Sequence, residues 1–125
     1  MMEFYVCAHC GNVITKLTDK KVPVFCCGEK MQLLEAGTTD AVLEKHVPVY
    51  TVENHTVHVK VGSVEHPMTE AHWIQWIIAE TNKGFAVKEL TAQDQPEAEF
   101  ILSAGEELKE VYAYCNLHGL WKAEA

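Results

Sequence analysis

The chain of 125 residues has ten lysines but no arginine, against eighteen acidic residues, for a net charge of −8. Without a guanidinium there is no planar fork to clamp a phosphate or carboxylate through two parallel bonds. The acidic balance argues against a nucleic-acid partner, which calls for a basic face. No apolar run approaches the ~18 residues that a membrane span requires, so no membrane partner is expected. The N-terminal segment holds Cys7 and Cys10 where an export signal would need an uninterrupted apolar stretch. Internal repeats and low-complexity segments are lacking too. Cysteines number five, and an odd count with no export signal argues against a closed disulfide framework. It points to a reducing cytoplasm in which thiols serve as metal ligands.

Apolar residues make up 48% of the chain, enough for one domain, or for a small module joined to a modest one. The small module is expected at residues 1–36. Cys7-Ala8-His9-Cys10-Gly11 is a knuckle with two thiols, and Cys26-Cys27-Gly28 follows after fifteen residues. Four cysteines so close in sequence read as one tetrahedral site of four thiolates, and a piece this short needs a metal to fold. Neighbouring residues on a strand point to opposite sides, so Cys26 and Cys27 must lie in a turn to share it. Spacing alone leaves iron against zinc open. His9 reads as a solvent-facing bystander. Val6, Val13, Ile14, Val22, Val24 and Phe25 are expected in short strands, followed by Leu33 and Leu34.

Residues 37–125 have a different texture. Val47–Val52 and Thr56–Val61 flank Glu53-Asn54-His55, a hairpin signal. Further strands are expected over Asp40–Lys45, Ile74–Ala79, Phe85–Leu90, Glu99–Leu102 and Lys109–Cys115, with turns at Asn82–Gly84, Gln93–Pro96 and Ser103–Gly105. About seven short strands at this spacing suggest an antiparallel, immunoglobulin-like β-sandwich. The fold class is therefore all-β, a small metal-bound module plus a sandwich.

Candidate ligands of the second module sit in its connections. His46 ends one segment just before Val47-Pro48. His66, forced extended by Pro67, and His72 share one loop, whose wrapping suits them better than a helix. Cys115 and His118 stand three apart where the run Val111–Tyr114 enters a tight loop. His55 and His58 sit in a hairpin and read as solvent-facing. Four imidazoles and a thiolate exceed what zinc needs. Blue copper would use two histidines, the cysteine and usually a methionine, and no methionine follows His118. Iron fits best, with five ligands and one open, reactive position.

Taken together, Cys7-x2-Cys10 with Cys26-Cys27, Glu44-Lys45-His46-Val47-Pro48, His66-Pro67-Met68 with His72, and Cys115-Asn116-Leu117-His118-Gly119-Leu120-Trp121 resemble the two-iron superoxide reductases, the desulfoferrodoxins. The resemblance covers nearly the whole chain. It implies a desulforedoxin-like first module whose Cys7, Cys10, Cys26 and Cys27 bind one iron. It implies a second iron held by His46, His66, His72 and His118 in a plane, with Cys115 axial. The implied activity is one-electron reduction of superoxide to hydrogen peroxide, with re-reduction by an external, rubredoxin-like donor in a cytoplasmic homodimer. An anaerobic or microaerophilic prokaryote would use it for detoxification. Lys45 would guide the anion, and Glu44 would close the oxidised site as a sixth ligand. An electron carrier and a zinc-ribbon binding module are the competing readings.

Overall fold

The structure, a computed structural model, describes residues 1–37 and 43–125. The chain divides into two compact units, Met1–Glu35 and Ala36–Ala125.

The first unit has five short strands: β1 (Phe4–Val6), β2 (Val13–Thr15), β3 (Phe25–Cys26), β4 (Glu29–Lys30) and β5 (Gln32–Leu33). They form an antiparallel sheet in the order β2-β1-β5 and a separate β3-β4 hairpin. Between β1 and β2 the chain turns tightly, with Cys7 N–H donating to Asn12 O at 2.9 Å and Gly11 N–H to Cys7 O at 3.0 Å. Gly11 takes φ +82°, a conformation that suits glycine. Val22 and Val24 lie in irregular backbone, not in strands. The reason is local: Lys21 has φ +62°, and its N–H bonds Asp19 Oδ1 at 2.8 Å, which turns the chain out of extension. Phe4, Cys7 and Met31 are buried, while Leu17, Val22, Phe25 and Leu33 are exposed. That is a very small core.

The second unit begins with a single helical turn, α1 (Leu43–His46), followed by β6 (Pro48–Glu53), β7 (Thr56–Val61), β8 (Ile74–Thr81), β9 (Gly84–Glu89), β10 (Glu97–Ile101), β11 (Leu108–Cys115) and β12 (Gly119–Glu124). One sheet has the order β10-β7-β6 and the other β12-β11-β8-β9, with every pair antiparallel. Alternation in β7 buries Val57, Val59 and Val61 and exposes His58 and Lys60. These valines and Phe100 meet Ile74, Ile77, Ala79, Val111, Ala113 and Cys115 in one core. This is a seven-stranded sandwich, as the strand spacing predicts.

Its membership differs from the expectation at two places. The strand expected over Asp40–Lys45 falls partly on residues 38–42, outside the described residues, and Leu43–His46 is helical, with Val47 N–H bonding Leu43 O at 2.9 Å. After the tight loop expected beyond Val111–Tyr114, where no strand was expected, the chain forms the seventh strand, β12. It pairs with β11 from Cys115↔Gly119 to Glu110↔Glu124. Leu120 and Trp121 are buried there, so the partner sheet, not local pattern, makes it a strand.

Candidate metal centres

In the first unit the thiols of Cys7, Cys10, Cys26 and Cys27 all lie within 4.8 Å of one another. Cys10 Sγ stands 3.6 Å from Cys26 Sγ, and Cys26 Sγ 4.0 Å from Cys27 Sγ. A metal with bonds of about 2.3 Å to sulfur would set tetrahedral neighbours about 3.8 Å apart. The vicinal pair achieves this through the β3–β4 turn: Cys26 ends β3, while Cys27 and Gly28 take φ +54° and +77°. The Cys10 N–H, 3.4 Å from Cys7 Sγ, holds the Cys7 thiol down at about 6. The Cys27 thiol is pushed up to about 12, first by its hydrogen bond to Cys7 and then by Cys10. Four thiolates therefore coexist here only around a cation, which is the chemistry of a metal site. His9 is exposed but not idle, since it pairs with Glu29 at 2.9 Å.

The second cluster is assembled from three connections of the sandwich. His46 ends α1. His66 and His72 lie in the loop from β7 to β8. Cys115 ends β11, and His118 stands in the three-residue loop before Gly119, whose φ of +76° closes the hairpin. Opposite Cys115 the register shifts: Tyr114 pairs with Trp76 but Cys115 with Ile74. The extra residue is Gln75, a bulge of the kind that re-aims side chains beside functional sites.

The four imidazoles form a square. Successive ring centroids are 4.7 Å apart for His46–His66, 4.6 Å for His66–His72, 5.0 Å for His72–His118 and 4.8 Å for His118–His46. Neighbouring rings stand 77–88° to each other, and the diagonal His46–His72 measures 6.3 Å. His46 Nε2 is 3.1 Å from His118 Nδ1 and 3.2 Å from His66 Nε2. Bonds of about 2.1 Å to one metal would place adjacent nitrogens about 3 Å apart. The donor atoms of His46, His66, His72 and Cys115 lie within 4.8 Å of one another, and Cys115 Sγ is 3.9 Å from His118 Nδ1.

The electrostatics suit a cation. Among the described residues, the buried His72 Nε2 has no hydrogen-bond partner, an arrangement that costs free energy unless something accepts its lone pair. His66 Nδ1 lies 2.6 Å from Pro67 O, so its N–H points there and the Nε2 lone pair faces the other rings. Burial lowers His66 to about 4 and lowers His72 as well, which keeps both neutral and ready to ligate. Burial raises the Cys115 thiol, against the backbone N–H groups of Leu117 and His118. A metal would have to displace that proton.

Glu44 and Lys45 ride on the same helical turn as His46. Glu44 is exposed; Lys45 is half-buried, and its charge is one of those that disfavour protonation of His72. Trp121 was not singled out for any role by sequence reasoning, yet its ring lies 5.0 Å from that of His46, and its indole N–H donates to His118 O at 3.0 Å. An aromatic three residues beyond His118 was the available signal.

The Desulfoferrodoxin family profile matches residues 38–124. The chain is 46% identical to the desulfoferrodoxin of Nitratidesulfovibrio vulgaris, over 98% of this chain and 96% of that one. Among solved structures, the superoxide reductase of Treponema pallidum superposes with a TM-score of 0.84 at 39% identity, covering 99% of both chains. A one-iron superoxide reductase from Giardia intestinalis matches with a TM-score of 0.57 at 32% identity, over 97% of its own length but 66% of this chain.

Proposed function

This chain belongs to the desulfoferrodoxin family, and from that premise we propose that it is a superoxide reductase. Each turnover joins one superoxide, one electron and two protons into hydrogen peroxide. The observation that carries this reading is the square of four imidazoles beside a buried thiol, with His72 Nε2 left unpartnered. These five donors would hold an iron, and iron so held would supply the electron.

His46, His66, His72 and His118 hold the metal through the nitrogens that face one another, and Cys115 through sulfur. Lys45 attracts the anionic substrate. The net charge of −8 does not cancel this, because distant carboxylates are screened over about 8 Å at physiological salt. Glu44, exposed on the same helical turn as His46, would be a further carboxylate donor to the metal. Cys7, Cys10, Cys26 and Cys27 hold a second iron, whose role is mainly structural. In support, the Giardia relative is named a one-iron enzyme and covers only part of this chain. The electron comes from a rubredoxin-like donor, and the protein works as a homodimer in the cytoplasm of an anaerobic or microaerophilic prokaryote, removing superoxide.

The test is elemental analysis of anaerobically purified protein, followed by superoxide consumption on a fast timescale. About two irons per chain and rapid superoxide loss, as the five- and four-ligand sites require, support the reading. One iron with one zinc keeps the reductase and makes the first metal purely structural. Zinc alone, persisting after iron reconstitution, sinks the enzyme.

A further inference from the structure

His72 stands out among the four imidazoles. It is carried on the long β7–β8 loop, and Nε2, the nitrogen facing the centre, has no hydrogen-bond partner among the described residues. Its aim therefore depends on how its backbone is held. Two peptide groups flank its Cα, and each has two polar ends. The His72 N–H donates to Thr69 O at 3.0 Å, and His72 O accepts from the Thr69 N–H at 2.9 Å. The other two ends go to one side chain. Asn116 Nδ2 donates to Ala71 O at 3.0 Å, and Asn116 Oδ1 accepts from the Trp73 N–H at 2.9 Å. The Asn116 N–H adds a bond to Trp73 O at 3.2 Å.

From this geometry we infer that Asn116 is a positioning residue for the metal centre, a carboxamide that locks the His72 loop to the strap carrying Cys115 and His118. A carboxamide is the one short side chain that offers a donor and an acceptor side by side, as the two flanking peptides require. Asn116 immediately follows Cys115, so the clamp ties the His72 loop to the segment that carries the thiol. Residues that orient ligands in this way typically govern metal affinity by about 10–100-fold. The inference rests on the proposed iron site and adds a residue to it.

The protein contains its own control. Asn82, at the far end of β8, makes the same pair of bonds in a turn that carries none of the candidate ligands: Oδ1 accepts from the Glu107 N–H at 2.8 Å and Nδ2 donates to Gly105 O at 3.3 Å. The experiment compares Asn116→Ala, Asn116→Asp and Asn82→Ala as iron-loaded full-length proteins. Asn116→Asp keeps the acceptor for Trp73 N–H but sets an anionic oxygen against Ala71 O. Three readouts are taken: thermal stability, the charge-transfer band from the Cys115 thiolate to ferric iron, resolved from that of the four-cysteine site, and the rate of iron release from the histidine site to a chelator.

Both Asn116 variants should shift or broaden the band and release iron about ten-fold faster, whereas Asn82→Ala should lose stability with band and release unchanged. Equal stability losses in Asn116→Ala and Asn82→Ala, with the band and release rate of both Asn116 variants as in the parent, would overturn the clamp. If Asn116→Ala does not fold, an unaltered Asn116→Asp overturns it by itself. A parent protein without the charge-transfer band would remove the iron site itself, and the clamp with it.

Discussion

Imidazoles of the second centre are held by groups that fold against them. His66 has its tautomer set by the Pro67 carbonyl, His46 lies against the Trp121 ring, and His118 has its carbonyl held by the Trp121 indole. The charge beside the site comes from Lys45, whose ammonium opposes protonation of His72. Replacing Lys45 with Ile should slow the second-order reaction with superoxide about ten-fold at low salt and flatten its dependence on ionic strength. Kinetics at several salt concentrations check this, and an unchanged rate removes Lys45 from the mechanism. At this scale the sequence was informative because ligand identity is a property of single residues. Cys115 with His118, and His66 beside Pro67, could be read directly. Asn116 and Trp121 could not, since their partners, Ala71, Trp73, His118 and His46, are fixed only by folding.

Among the elements, the end of β7 supports α1. Glu44 O accepts from the Val64 N–H at 2.8 Å and from Ser63 Oγ at 3.3 Å. A Cβ at Gly62 would stand 2.5 Å from Glu44 O and 3.0 Å from Val47 O, both backbone atoms. Gly62→Ala should therefore cost about 1–3 kcal/mol and loosen iron at the second centre. Denaturant unfolding and chelator release measure the two effects. The β10–β11 turn carries a pH dependence. Glu106 accepts from Thr81 Oγ1 at 2.6 Å and from the Ser103 N–H at 2.8 Å, and these bonds, that of Thr81 foremost, hold its carboxyl below the ordinary 4.5. A depressed folded-state value means stability that is present above 4.5 and lost as pH falls through the folded value. Glu106→Gln should be less stable than the parent at neutral pH, and the gap should close below pH 4.5, as thermal unfolding across pH would show. Strand positions such as Thr56–Val61 were legible because alternation is local. Leu43–His46 was misread because one helical turn has no periodicity to detect, and β12 because its extension comes from pairing with β11.

Over the whole molecule, two units meet different physical demands. The sandwich buries a core of aliphatic side chains from both sheets, whereas the first unit buries Phe4, Cys7 and Met31 and leaves Phe25 and Leu33 exposed. Burial on that scale does not hold a fold, and the metal must. Cys10→Ser should accordingly lose the first metal and the order of residues 1–35, while superoxide is consumed within about twofold of the parent rate, as expected for a site whose ligands are all in the other unit. Elemental analysis, amide hydrogen exchange and superoxide kinetics check the three parts, and a large loss of rate would make the first iron a relay.

The sequence by itself determined the candidate chemistry: thiols and imidazoles at spacings that suit metal ligation, no arginine, and a total of candidate ligands beyond what zinc requires. Those facts depend on residue type and order, which need no fold to read. Only the tertiary structure decided how the ligands meet. The bulge opposite Cys115, the square of rings and the bonds from Asn116 to both peptides around His72 all join residues far apart in the chain. Such pairings come from closing the sandwich, and no local pattern encodes them.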